Sequence, residues 1–398
     1  MGQTAHVNAV VWVAAVSLAA WLWLLLCQGF FWRTDVRLPP RREPAAWPSV
    51  CVVVPARDEA AVLPDSLPTL LAQDYPGRAE IFLVDDGSSD GTGDLARALA
   101  RHHQDALPLT VASPGEPPAG WTGKLWAVRH GIALARAREP EYLLLTDADI
   151  AHAPDSLRHL VAAARTGEYD AVSLMARLRV ASGWERLVVP AFVYFFAQLY
   201  PFRRIGRRGA RTAAAAGGCV LLRADTAERV RVPDAYRHAV IDDVALARTV
   251  KGGGGRVWLG LADRVDSVRP YPRLGDLWRM VSRSAYAQLR HNPLVLLGTV
   301  AGLALVYLVP PVALVVGAVT GNAAGAVLGG LAWLVMTGTY LPMLRYYGQP
   351  PWLALSLPFT ASLYLLMTVD SAVQHYRGRG AAWKGRTYAR PGAVADEG

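Results

Sequence analysis

Four long apolar runs decide most of what this chain can become. Val7 to Cys27, Leu294 to Val319, Ala324 to Leu341 and Trp352 to Val369 each approach or exceed the roughly twenty residues that cross a hydrocarbon layer. Hydrophobic residues make up 53% of the 398 and charged ones 18%, a balance that excludes an ordinary soluble enzyme. No lysine or arginine precedes the first run, so it lacks the basic start of a signal peptide. Arg33, Arg37, Arg41 and Arg42 follow it, which sets the N-terminus outside and the next domain in the cytoplasm. The three C-terminal runs then carry the tail outside, yet Arg377, Arg379, Lys384, Arg386 and Arg390 favour the cytoplasm. The expectation is that one run, the last, is re-entrant or interfacial. Pro310-Pro311 should kink the second run.

The net charge of +9 is read as arginine facing anionic lipid. Nucleic-acid binding is excluded, because the basic residues lie beside apolar spans and not among stacking aromatics. Cys27, Cys51 and Cys219 are far apart and set in apolar runs, with neither a disulfide framework nor a zinc spacing. A multi-pass protein of a bacterial-type cytoplasmic (inner) membrane follows. Its expected divisions are an anchor (1–32), a basic Pro-rich linker (33–48), a globular α/β domain (49–273), an amphipathic interface helix (274–293), a transmembrane region (294–373) and a basic tail (374–398).

Between the spans, hydrophobicity changes period. Ser49 to Pro55, Ile81 to Val84, Leu109 to Ala112 and Tyr142 to Thr146 read as strands buried on both faces. Helices are expected over 60–73, 92–102 and from Lys124 to about Arg138. Strand–helix alternation means a mostly parallel α/β sheet, whose ligands bind outside the carboxyl ends of the strands. Three polar stretches fall on that edge: Pro55-Ala-Arg57-Asp-Glu59, Asp85-Asp86-Gly87-Ser88 and Asp147-Ala-Asp149.

Asp147 and Asp149 should point the same way from a strand end, and two hard oxygen ligands suit Mg²⁺ or Mn²⁺ holding phosphate oxygens. The plainer reading is a turn carboxylate. Asp85 and Asp86 can accept hydrogen bonds from a nucleobase or ribose, or simply cap a helix started by Ser88 or Asp90. Lys124 opens a helix where it could neutralise a diphosphate, or could be solvated surface. Gly217-Gly218 permits close approach of backbone to a sugar. Asp242-Asp243 opens another helix, where carboxylates also serve as caps. Arg186 to Phe202 is too short to span; it reads equally as an interfacial or a buried core helix. Asp155 to Arg165 reads as a surface helix.

In order and spacing, Val54-Pro55-Ala-Arg57-Asp-Glu59, Asp85-Asp-Gly-Ser88, Gly123-Lys124 and Asp147-Ala-Asp149 resemble the family 2 inverting glycosyltransferases with a GT-A fold. The resemblance spans about Ser49 to Arg290. It implies a nucleotide-sugar-binding domain in which Asp85 and Asp86, with Pro55, Arg57 and Glu59 beside them, hold the nucleoside. It puts Lys124 near the phosphates and Asp149, with Asp147, on the metal. It makes Asp243 the catalytic base, oriented by Asp242. Relatives carry Gln-x-x-Arg-Trp where this chain has Met280-Val-Ser-Arg283-Ser284. Arg283 alone survives, as a phosphate contact or a helix-face charge, which weakens a processive role.

Overall, Gly120-Trp-Thr-Gly-Lys124, Asp242-Asp243 and the layout of spans most resemble the bacterial hopanoid-associated glycosyltransferases, distant kin of ceramide glucosyltransferases. The expected activity is single-displacement transfer from a nucleotide-sugar donor to a membrane lipid acceptor at the bilayer, which the resemblance implies to be hopanoid-related. The rivals are transfer to a polyprenyl phosphate and a non-catalytic scaffold or export partner that keeps the fold.

Overall fold

The computed structural model describes residues 2–103, 106–378, 382–383 and 386–387. Most of the basic tail, Arg379, Lys384 and Arg390 included, lies outside the described residues. Contacts divide the chain into two compact units: Met1–Thr34 with Val180–Arg203 and Tyr271–Gly380, and Asp35–Arg179 with Arg204–Pro270 and Ala381–Gly398.

The second unit is built on the runs that must bury both faces. All seven residues of β1 (Val50–Ala56) are buried, as are all five of β4 (Tyr142–Thr146). With β2 (Ala79–Asp85), β3 (Leu109–Ala112), β5 (Ile150–His152), β6 (Ala171–Leu178), β7 (Cys219–Arg223) and β8 (Val257–Ser267) they form one sheet, ordered β3-β2-β1-β4-β7-β6-β8-β5. Helices Leu63–Leu71, Thr92–His102 and Gly123–Arg136 are the crossovers that keep β3, β2, β1 and β4 parallel. Gly131 lets the last of these lie close, since a Cβ there would sit 2.4 Å from Val53 Cγ1. The apolar cluster of Val52, Leu83, Leu144, Leu67 and Leu160 fills the space beneath helices Leu63–Leu71 and Ser156–Gly167. Asp155–Arg165 is not merely surface: helix Ser156–Gly167 buries Leu157, Leu160 and Val161.

The other half of the sheet is mixed. β7 runs antiparallel to both β4 and β6, β8 parallel to β6, and β5 antiparallel to β8. This topology brings the amino end of β7 to the carboxyl end of β4, Thr146 facing Cys219. It also sets Ser267, ending β8, opposite Ile150. Chain segments that are distant in sequence therefore share one edge. Residues Asp35 to Pro48 are strapped to this unit: Leu261 N–H donates to the Val36 carbonyl at 2.9 Å, and Leu38 and Trp47 pack on the core.

The first unit is helical. Ala9–Cys27, Pro293–Thr320, Ala323–Tyr346 and Pro351–Tyr376 are long and apolar enough to cross a membrane. Pro310 lacks an N–H, which orphans the Val306 carbonyl, and the helix answers with a wider turn over Ala304–Leu308. Trp21 Nε1 donates to that Val306 carbonyl at 2.6 Å, and Ser17 to Leu305 O at 2.7 Å. Helix Gly183–Leu199 belongs to this unit and buries Val188, Val189, Val193 and Tyr194, so its core character prevails over a purely interfacial one. Its Tyr194 hydroxyl meets Thr339 at 2.8 Å. Helix Leu274–Gln288 is fixed by Trp278 Nε1 donating to Asp370 at 2.9 Å, and leaves Arg283 exposed.

Candidate active site

Two loops at the carboxyl edge of β1 and β2 are stitched together by side chains. Asp58 N–H donates to Ser88 Oγ at 2.9 Å, Ser89 N–H to Asp58 Oδ1 at 2.8 Å, Glu59 N–H to Thr92 Oγ1 at 2.8 Å and Ala60 N–H to Asp90 Oδ2 at 2.9 Å. Asp58 and Asp90, to which sequence reasoning assigned no ligand role, are among these stitches. Asp85 accepts the Ser88 N–H at 2.9 Å, so its turn role is realised. Gly87 takes φ 66°, which only glycine adopts freely. The N-cap of helix Thr92–His102 is Gly91, not Ser88 or Asp90. Pro55 is buried at the end of β1. Arg57 donates to the Asp86 carbonyl and lies 3.7 Å from the Asp86 carboxylate, which is wholly buried.

Beside them lies a second cluster. Thr122 caps helix Gly123–Arg136, accepting from Leu125 N–H at 3.3 Å, and so aims its second residue, Lys124. Lys124 Nζ sits 2.9 Å from Asp147 Oδ1 and 3.1 Å from Asp242 Oδ2. Burial works against this ammonium, but the two carboxylates outweigh it and hold it above the usual lysine range. Burial also raises Asp147, with Lys124 opposing. Asp243 lies in the first turn of helix Asp242–Gly252. Its carboxylate accepts Gly217 N–H at 3.1 Å and Val244 N–H at 2.7 Å. Burial, then the Asp242 charge, push its carboxyl up to about 6.

A third group surrounds Asp149. Its Oδ2 accepts from Ser267 Oγ at 2.8 Å and from Arg269 Nε at 3.2 Å, while Arg269 Nη2 reaches Glu59 at 2.6 Å. Sequence reasoning missed Ser267 and Arg269, which belong to no motif and lie at and just beyond the end of β8, a strand it did not foresee. Pro55, Arg57, Glu59, Asp85, Asp86, Lys124, Asp147, Asp149, Asp242 and Asp243 thus all belong to the sheet unit. Arg283 belongs to the helical one.

A divalent cation is tested by the donors present. Asp147 and Asp149 supply hard carboxylate oxygens, but among the described residues no three His, Cys, Asp or Glu side chains gather as a cage. Mg²⁺ is characteristically held by one or two carboxylates, with substrate phosphates and water completing its shell. The residues fit that mode and no other.

Residues 51–231 match the family described as Glycosyl transferase family 2. An N-acetylglucosaminyltransferase of Mesorhizobium japonicum is 34% identical over 31% of this chain and 26% of its own length. An undecaprenyl-phosphate 4-deoxy-4-formamido-L-arabinose transferase of Pseudomonas aeruginosa is 32% identical over 34% of this chain and 38% of its own. A polyprenol monophosphomannose synthase of Mycolicibacterium smegmatis is 30% identical over 33% and 49%. The chain therefore matches less than half the length of each of these relatives. A mannosyltransferase of Pyrobaculum calidifontis, solved with GDP-Man and Mn²⁺, superposes with TM-score 0.54 at 20% identity, covering 93% of this chain and 99% of that one. At that identity the likeness is one of fold. The sheet and its crossovers are of GT-A type, and the chain also has four helices that could span a membrane.

Proposed function

We propose that this protein transfers a sugar from a nucleotide-sugar donor to a polyprenyl phosphate at a membrane, with inversion at the anomeric carbon. The observation that carries this reading is the Lys124 ammonium held between Asp147 and Asp242, with Asp243 next along the helix. Such a site has the charges needed to grip a diphosphate on one side and steer a nucleophile on the other. Arg57, Glu59, Asp85 and Asp86 would take the nucleoside, which suits the rigid stitched loops that carry them. Asp147 and Asp149 would hold Mg²⁺ or Mn²⁺, which when bound neutralises the leaving diphosphate. Lys124 would turn from its carboxylates toward the same phosphates. Two relatives named for polyprenyl-phosphate acceptors support that acceptor, whereas none of those named points to a hopanoid.

One observation favours the second reading, a lipid hydroxyl. A hydroxyl needs a base to take its proton as it attacks, and Asp243, pushed up to about 6, is well matched to that task. A phosphate is already anionic and needs only alignment. The test is to incubate membranes carrying the protein with labelled nucleotide sugars and identify the labelled lipid by mass spectrometry. A product cleaved by mild acid is the polyprenyl phosphodiester; an acid-stable glycoside replaces it with the hydroxyl reading. No labelled lipid from any donor would remove both and leave the scaffold rival.

A further inference from the structure

Behind this site lies a histidine that the proposed chemistry does not use. His152 ends β5 and is buried. Its Nε2 is 3.0 Å from Thr146 Oγ1 and its Nδ1 3.1 Å from Ser156 Oγ. Burial pushes the imidazole down to about 4, so at neutral pH one nitrogen donates and the other accepts.

The neighbours decide which. The Gly218 carbonyl, 2.8 Å from Thr146 Oγ1, has no hydrogen to give, so the single Thr146 hydroxyl hydrogen points at it. Thr146 Oγ1 must then accept from His152 Nε2–H. That leaves Nδ1 as an acceptor, within reach of the Ser156 hydroxyl. Gln73 Oε1 is a second acceptor for the Ser156 hydroxyl, 3.2 Å from Ser156 Oγ, and takes the Leu157 N–H at 3.0 Å on its other lone pair. Gln73 itself is pinned by its amide hydrogens on Thr69 O and Ala153 O, each at 2.9 Å. From His152 onward donation therefore runs in one direction, through Thr146 to Gly218.

The last acceptor is the informative one. Gly218 O also takes the Asp147 N–H at 3.4 Å, and the residue before it, Gly217, donates to Asp243. The relay thus fastens the end of β4, which carries Asp147, to the turn that supplies a donor to Asp243. We propose that His152 is a positioning residue: as the neutral Nε2–H tautomer it locks Thr146 onto the Gly217–Gly218 turn and so sets the spacing of Asp243 from Asp147. This rests on reading Asp243 as the carboxylate that aligns or activates the acceptor. Leucine could occupy the space but would leave Thr146 and Ser156 facing an apolar side chain. Glutamine could present an amide N–H in place of Nε2.

The test uses the full chain in lipid nanodiscs. Nitrogen NMR of labelled histidine should show His152 as the Nε2–H tautomer, still neutral at about pH 5.5. An Nδ1–H or protonated ring there overturns the proposal, whether or not sugar transfer is seen. His152→Leu should lower kcat about tenfold or more, the size of effect known for partners that orient reacting groups. Its donor KM should stay within about twofold, since donor binding is not what the relay serves. His152→Gln should recover most of the loss. Thr146→Val, nearly isosteric, should fall as far as His152→Leu, and the double variant no further, because both act through one chain. Losses that multiply in the double variant, or a His152→Leu protein that loses only Tm, overturn the proposal. Thr146→Val alone carries the kinetic test if His152→Leu does not fold. A wild type that transfers no sugar defeats the functional reading instead.

Discussion

Asp147 and Asp149 are two residues apart yet live under opposite regimes. Asp147 faces the ammonium of Lys124, a point charge on a long flexible stem that can be drawn off by a better partner. Asp149 is fixed by the Ser267 hydroxyl and by the rigid fork of Arg269, which is itself anchored on Glu59. One corner of the site is exchangeable and the other is preset. A donor diphosphate with its cation needs both: carboxylate positions that do not wander, and a counter-charge that can change sides.

The sharpest way to break that contrast is at Asp243, which borders the exchangeable corner. If Asp243 activates a hydroxyl, Asp243→Asn should cut lipid glycosylation about a thousandfold, within the range for lost general bases, while donor KM holds. A loss of only a few-fold would favour the phosphate acceptor. Lys124→Met comes next, with an expected fall of about a hundredfold in kcat, comparable to losing one electrostatic donor. In the same variant Mn²⁺ alone, followed by the EPR signal of the free ion, should bind more tightly, because no ammonium competes for Asp147. Unchanged Mn²⁺ affinity would show that the lysine does not hold the cation's place. Arg269→Met should act on the fold instead, costing about 2 kcal/mol for lost charged hydrogen bonds and lowering Tm by several degrees. If Arg269→Met left Tm untouched, the preset corner would be no more rigid than the other.

The smallest effects are in pH. For a hydroxyl acceptor, kcat should rise through about pH 6 and level off above 7, the ionisation of Asp243. Because the folded protein binds that proton more tightly than the unfolded chain, ionised Asp243 weakens the fold as pH climbs from about 4 to 6. Asp243→Asn should therefore raise Tm at pH 7.5 and leave it unchanged near pH 3. A Tm that falls at pH 7.5 would mean that the carboxylate supports the fold through Gly217 and Val244.

The parallel half of the sheet was legible because burial on both faces leaves a signature in a single run. β3 and β4 carry the predicted bounds, and β1 and β2 lie within two residues of theirs. β5 has three residues, too few to show a period. β8 is interrupted by Asp263, Arg264 and Asp266, none of them buried, which hide the apolar run. Losing β8 meant losing Arg269, whose approach to Asp149 depends on pairing strands more than a hundred residues apart. Nothing local in a sequence encodes that pairing. Helix Gly183–Leu199 was ambiguous for a related reason: its aromatics suit either an interface or a core, and only its packing partners, such as Thr339, decide.

The Pro310 turn gives the N-terminal helix a duty that its sequence does not advertise. Trp21 and Ser17 close carbonyls that a proline and a widened turn have opened in another helix. In hydrocarbon no solvent molecule can stand in for them. Clipping off the first thirty or so residues would thus cost the bundle these two bonds, together with that of Gln28 to the Gln198 carbonyl, and not merely a mooring. A replacement span of equal length and greasiness, lacking that hydroxyl and indole, should leave a defect in the second helix.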